Sequence, residues 1–136
     1  MQDRNKTVLV TGATGFVGQH LCRELSVLGF SVRTLLHTAK QSEMFPSEVE
    51  LTHFPGDLLD VASLETACMD TDILVHLGGV AHVDNLTEKI LQEINVEGTR
   101  NILQVAIRNN ISRIIFMSSS LASDAEKERG KVTNYG

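Results

Sequence analysis

The chain has 136 residues, 42% of them hydrophobic and 21% charged, with ten glycines, two prolines and no tryptophan. That size and composition suit one ordinary folded domain and exclude a disordered or low-complexity chain. A formal net charge of −5 leaves no basic field to gather phosphate backbones or anionic lipid, so neither a nucleic-acid nor a membrane partner is expected.

In chain order, Thr7 to Thr11 is a short β-branched apolar run closed by glycine, the pattern of a strand buried on both faces. From Gly15 the period changes. Val17, Leu21, Leu25 and Leu28 lie three or four apart on one helical face, and Gly29 follows as a stop. Ser31 to Leu36 reads as a second strand, Glu50 to Phe54 as a third, Val61 to Met69 as a short helix and Thr71 to Leu77 as a fourth strand. A long helix is expected from Thr87 to Asn109, with Ile90, Ile94, Gly98, Ile102 and Val105 on one stripe, and Arg113 to Met117 as a fifth strand. Strands alternating with helices imply right-handed crossovers and a parallel sheet. The fold class is therefore α/β, a Rossmann-type doubly wound sheet of order 3-2-1-4-5. A sixth strand is missing, so the sequence reads as truncated before the later strands: residues 1–136 would be the N-terminal portion of a nucleotide-binding domain, with no C-terminal substrate domain.

Cys22 and Cys68 share no Cys-x-x-Cys or Cys/His ligand spacing, which predicts buried reduced thiols, no metal and a cytosolic setting. The first six residues have no apolar signal region and no stretch approaches membrane length, so the expected location is cytoplasmic. The mixed-charge run Asp124 to Lys131 reads as a solvated loop, and His76 and His82 read as loop and strand-end residues without metal spacing.

The strongest local signal is Thr11-Gly12-Ala13-Thr14-Gly15-Phe16-Val17-Gly18, directly after the first strand and opening the first helix. Gly12 permits the tight turn, Gly15 lets backbone approach a pyrophosphate, and Gly18 lets helix pack closely on strand. The N–H groups of the turn and the helix start then meet the phosphate charge.

This string resembles the Thr-Gly-x-x-Gly-x-x-Gly of the extended short-chain dehydrogenase/reductases, the NAD-dependent epimerases and dehydratases. The resemblance continues through Gly56-Asp57-Leu58, His76-Leu77-Gly78-Gly79, Asn95-Val96-Glu97-Gly98-Thr99 and Phe116-Met117-Ser118-Ser119-Ser120, and so spans nearly the whole chain. It implies a dinucleotide cofactor, NAD or NADP, with Asp57 and Leu58 bordering the adenine and Leu77, Gly78 and Gly79 lining the path toward the nicotinamide. Asp57 has a second reading, as the cap of the helix that begins near Val61.

The resemblance also implies a catalytic set of Asn, Ser or Thr, Tyr and Lys, in which tyrosine is the acid/base, serine holds the reacting oxygen, and lysine lowers the tyrosine pKa and binds the ribose. Asn95 matches the first member, Ser120 or Ser119 the second, and Tyr135 the third; the sequence ends at Gly136, before the lysine position. At the end of the second strand, where an acid would bind the ribose diol, stand Leu36 and then His37, with Lys40 near. The pattern is similar to family members reading Val-Arg-x-Leu-Val-Arg, many of which prefer NADP, and it leaves NAD and NADP both open.

Two functions follow. One is the cofactor-binding part of a nucleotide-sugar epimerase, dehydratase or related reductase, whose full-length form would be a homodimer. The other is a non-catalytic module that senses NAD(P). The 136-residue chain alone is expected to show no turnover.

Overall fold

The computed structural model describes residues 5–80 and 86–118. The apolar runs form five strands, β1 (Thr7–Thr11), β2 (Ser31–Leu36), β3 (Leu51–Pro55), β4 (Ile73–His76) and β5 (Arg113–Phe116). All pair in parallel in the order β3-β2-β1-β4-β5. β1 lies at the centre, so its alternating side chains are buried on both faces: Val8 and Val10 in one core, Leu9 in the other. This is why β1 reads as continuously apolar rather than alternating.

One face is covered by α1 (Phe16–Val27), whose Cys22, Leu21 and Leu25 pack on Val8, Val10, Val32, Ile73 and Val75. The other face is covered by α2 (Val61–Cys68) and α4 (Gly98–Arg108), which bury Leu64, Ala67, Ile102, Val105 and Ala106 against Leu9, Leu35 and Leu74. Each fully buried aliphatic side chain contributes about 2 kcal/mol of transfer free energy before conformational entropy is charged against it. β2 and β3 are joined without an α-helix: a 3-10 turn, Ala39–Met44, carries Phe45 onto the α1-side core instead.

The end of α1 explains itself locally. Leu28 caps the helix, Gly29 takes φ +87°, and the Phe30 and Gly29 amides return to the Leu25 and Ser26 carbonyls. That is a Schellman closure, in which glycine avoids the Cβ penalty of the left-handed conformation.

The expected long helix is interrupted. It comprises α3 (Glu88–Gln92), a π-helical turn (Glu93–Glu97) and α4. The stripe from Ile94 through Gly98 and Ile102 to Val105 faces inward in part or in full, but Ile90 does not continue it: Leu91 is buried and Ile90 is 38% exposed. A wider turn rotates the residues before it relative to those after it, so one 3.6-residue period cannot describe both segments.

Candidate functional site

The site lies beyond the C-terminal ends of β1, β2, β3 and β4. At the first turn Gly12 takes φ +69°, and a Cβ there would stand 2.6 Å from the Leu77 carbonyl carbon and oxygen. No other residue fits. A Cβ on Gly18 would lie 2.2 Å from the Gly12 carbonyl oxygen, so the third glycine sets how closely α1 approaches the turn. Gly15 is the N-cap of α1, has ordinary extended geometry (φ −70°, ψ 169°) and makes no side-chain cap. The first helical amides therefore have no capping side chain, and the first turn holds no acidic residue. An open, uncapped N-terminus beside glycine backbone is a donor set suited to a phosphate.

Beneath this turn opens a cleft of about 430 Å³. Its walls include Thr11, Gly12 and Thr14 from the first turn, His37 and Gln41 after β2, Asp57 and Leu58 after β3, and Gly79 and Val80 after β4. Four sequence-distant loops thus meet at one place, where strand order switches from β1-β2 to β1-β4, the usual position of a ligand crevice in open α/β sheets.

The residues singled out in the sequence divide on this geometry. Gly12, Thr14, His37, Asp57, Leu58 and Gly79 line the cleft, and Gly15 and Gly18 shape the turn above it. Phe16 is 82% exposed at the start of α1, its ring 4.8 Å from that of His20. Val17 and Leu77 face the opposite way, into an apolar groove of about 570 Å³ on the α1 side of β4 and β5. Leu77 is thus not among the walls of the cleft; its backbone carbonyl instead abuts Gly12. Gly78 is a wall of neither, its N–H donating to Thr11 Oγ1 at 3.0 Å.

Asp57 does not cap α2. That role belongs to Asp60, whose carboxylate accepts the Ala62 and Ser63 amides. Asp57 Oδ1 instead accepts the Leu59 N–H at 2.8 Å, and its Oδ2 lies 3.4 Å from His37 Nδ1. The two side chains span the mouth of the cleft.

Asn95 lies in the π-helical turn, and its amide is bidentate on one residue: Oδ1 accepts the Val80 N–H at 2.8 Å and Nδ2 donates to the Val80 carbonyl at 2.9 Å. Its side chain is therefore committed to holding the loop after β4. Ser119, Ser120 and Tyr135 lie outside the described residues, as do His82 and the charged run Asp124 to Lys131.

Three participants were not legible as such. Gln41 accepts the backbone N–H groups of both His37 and Thr38; Thr38-Ala39-Lys40-Gln41 has the Ser/Thr-x-x-Glu/Gln form of a capping box, a signal that was there to be used. Thr11 and Thr99 bracket His76. Burial pushes the Cys22 and Cys68 thiols up to about 11, Cys68 also under the influence of Glu65, so both stay protonated and neither is a nucleophile at neutral pH. Among the described residues no group of histidine, cysteine, aspartate or glutamate could hold a metal ion, and no helix is long and apolar enough to cross a membrane.

Comparison with known proteins agrees with this geometry. The sequence model of the NAD dependent epimerase/dehydratase family matches residues 8–136. The UDP-N-acetyl-alpha-D-glucosaminuronate decarboxylase of Bacillus cytotoxicus is 33% identical over 119 residues, covering 85% of this chain and 37% of that protein. The N-acetyl-alpha-D-glucosaminyl-diphospho-ditrans,octacis-undecaprenol 4-epimerase of Escherichia coli O157:H7 is 35% identical over 115 residues, covering 85% and 33%. Among solved structures, the UDP-glucose 4-epimerase of Bifidobacterium longum, in complex with NAD+ and UDP, superposes with a TM-score of 0.70 at 27% identity, over 85% of this chain and 37% of the epimerase. The chain spans about a third of the length of these curated relatives.

Proposed function

Because this chain belongs to the NAD dependent epimerase/dehydratase family, we propose that it forms the cofactor-binding portion of an enzyme that acts on a nucleotide sugar by hydride transfer. The observation that carries the reading is the uncapped glycine turn, Gly12 to Gly18, standing over a cleft edged by Asp57. NAD is the cofactor named for the family and held in the solved epimerase, and the cradle fits it: Cβ-free backbone and free amides for the pyrophosphate, and a carboxylate toward the adenosine end.

The residues would divide the work as follows. Amides of the turn bind the phosphates, Leu58 and Asp57 border the adenine and its ribose, and Gly78 and Gly79 keep the way to the nicotinamide open. NAD, when bound, supplies the hydride acceptor. Tyr135 takes the proton from the substrate hydroxyl, with Ser120 or Ser119 holding the same oxygen, and Asn95 serves by positioning the Val80 loop rather than by touching substrate. Removal of that proton as hydride departs leaves a carbonyl, an intermediate common to epimerisation, decarboxylation and dehydration. The alternative of a non-catalytic NAD sensor draws no support from the relatives, which are named for catalysed reactions.

Calorimetric titration with NAD tests the binding. The Gly15→Val chain should fold, since a Cβ at Gly15 meets only the Gly12 carbonyl oxygen, at 3.3 Å, yet bind at least tenfold more weakly because its branched side chain fronts the pyrophosphate. Wild-type affinity in a folded Gly15→Val chain refutes the assignment.

A further inference from the structure

His76 is the last residue of β4, and its ring is fully buried. Nδ1 lies 2.6 Å from Thr11 Oγ1 at the end of β1, and Nε2 lies 2.9 Å from Thr99 Oγ1 on α4. The Phe116 ring stacks on it at 5.6 Å. One imidazole therefore ties together two adjacent strand ends and the helix that crosses behind them.

The direction of each hydrogen bond follows from counting protons. A backbone amide only donates, so Thr11 Oγ1 accepts from Gly78 N–H. The Thr11 hydroxyl has a single proton of its own, and its other partner among the described residues is His76 Nδ1. If Nδ1 carried a proton as well, two donors would face the Thr11 oxygen and its own proton, in a side chain 1% exposed, would have no acceptor. Nδ1 is thus the acceptor, the ring proton resides on Nε2, and Nε2 donates to Thr99. The result is a one-way chain, Gly78 N–H to Thr11 O–H to His76 to Thr99, whose members polarise one another in the same sense.

The relay begins at the cofactor cleft. Gly12 and the Leu77–Gly78 peptide are so close that no Cβ fits between them, and the next two residues, Gly79 and Val80, line the cleft opposite the phosphate turn. Asn95, on the turn preceding α4, grips Val80 from the far side. The loop is held at both ends, by Thr11 through the relay and by Asn95 directly.

We propose that His76, as the neutral Nε2–H tautomer, is a positioning residue for the dinucleotide: its relay from Thr11 to Thr99 sets the gap between the phosphate turn and the Gly78–Val80 loop. This rests on the dinucleotide reading of the cleft. The His76 ring and Thr99 lie outside the walls of the cleft, which Thr11 reaches; they act through Thr11 and the Gly78 amide.

The experiment uses the 136-residue chain labelled with 15N. Two-bond nitrogen–proton correlations report which ring nitrogen of His76 is protonated, and Nε2 is expected; an Nδ1–H tautomer overturns the relay. Thr99→Val removes the terminal acceptor while keeping shape. It should weaken NAD at least fivefold and speed hydrogen exchange at the Gly78 amide, and Thr99→Ser, which restores a hydroxyl, should recover both. Unchanged NAD affinity and unchanged Gly78 exchange in a folded Thr99→Val chain refute the proposal, as does failure of Thr99→Ser to rescue. Wild-type chain that fails to bind NAD while showing the Nε2–H tautomer would instead bring down the dinucleotide reading and with it the cofactor role of the relay.

Discussion

Acidifying the protein from pH 7 to pH 5 forces a choice on His76, and the cost can be worked out. Burial lowers its pKa from the ordinary 6.5 to about 4, and no charged neighbour contributes to the shift. The folded state therefore holds this ring neutral in a range where the unfolded chain protonates it. Below pH 6.5 the unfolded state binds more protons than the folded one, so stability falls as pH falls, and the loss is complete below about pH 4. At 1.36 kcal/mol per unit the full loss is about 3 kcal/mol, and about 2 kcal/mol of it has appeared by pH 5. For a domain with only ~5–15 kcal/mol in total, that is a large displacement of the urea midpoint. Glu65 adds to the loss only at lower pH: hydrogen bonds from Asn109 and Arg108 hold its carboxyl below the usual range, so its contribution is present above the carboxylate's ordinary pKa and disappears below it. Urea unfolding at pH 7, 6 and 5 measures the slope, and an NMR titration of His76 in the native protein assigns it. A His76 that titrates near 6.5 while the protein remains folded, or a stability that changes by less than about 0.5 kcal/mol between pH 7 and pH 5, refutes the argument.

The glycines of the first turn should separate by function: Gly18→Ala, which drives a Cβ to 2.2 Å from the Gly12 carbonyl oxygen, is expected to cost about 1–3 kcal/mol or more in urea unfolding, whereas Gly15→Val should spare stability and lose NAD. The two aspartates after β3 should separate likewise. Asp60→Ala removes the α2 cap and should lower stability by about 1 kcal/mol with NAD affinity unchanged by calorimetry. Asp57→Asn removes the carboxylate that faces His37 and should raise the NADP/NAD affinity ratio severalfold, since a carboxylate repels an added 2′-phosphate; an unmoved ratio places the adenosine ribose elsewhere.

How far the sequence reaches can be judged residue by residue. β1 and β2 are found at the residues their composition marked, Thr7–Thr11 and Ser31–Leu36, and the parallel order β3-β2-β1-β4-β5 follows from alternation of strands and helices under the handedness of crossovers. The glycine turn after β1 was equally legible as a turn, because glycine at Gly12 and Gly18 is a local necessity: a positive φ in one case and a carbonyl oxygen 2.2 Å from any Cβ in the other. What escaped was everything that depends on residues far apart in the chain. His76 read as an ordinary loop histidine, since nothing adjacent to it indicates that Thr11 will lie against one nitrogen and Thr99 against the other. Asp57 and Asp60 are both suited to capping a helix at Val61, and the choice went to Asp60 by hydrogen-bond geometry while Asp57 was left facing His37 from a neighbouring strand. The π-helical turn at Glu93–Glu97 carries no signature in hydrophobic period, yet it brings Asn95 onto the Val80 backbone. Local conformational preference is written in neighbouring residues and can be read from them; the pairing of Asn95 with Val80, of His37 with Asp57 and of His76 with Thr11 and Thr99 exists only once the sheet has closed and brought its loops to one edge.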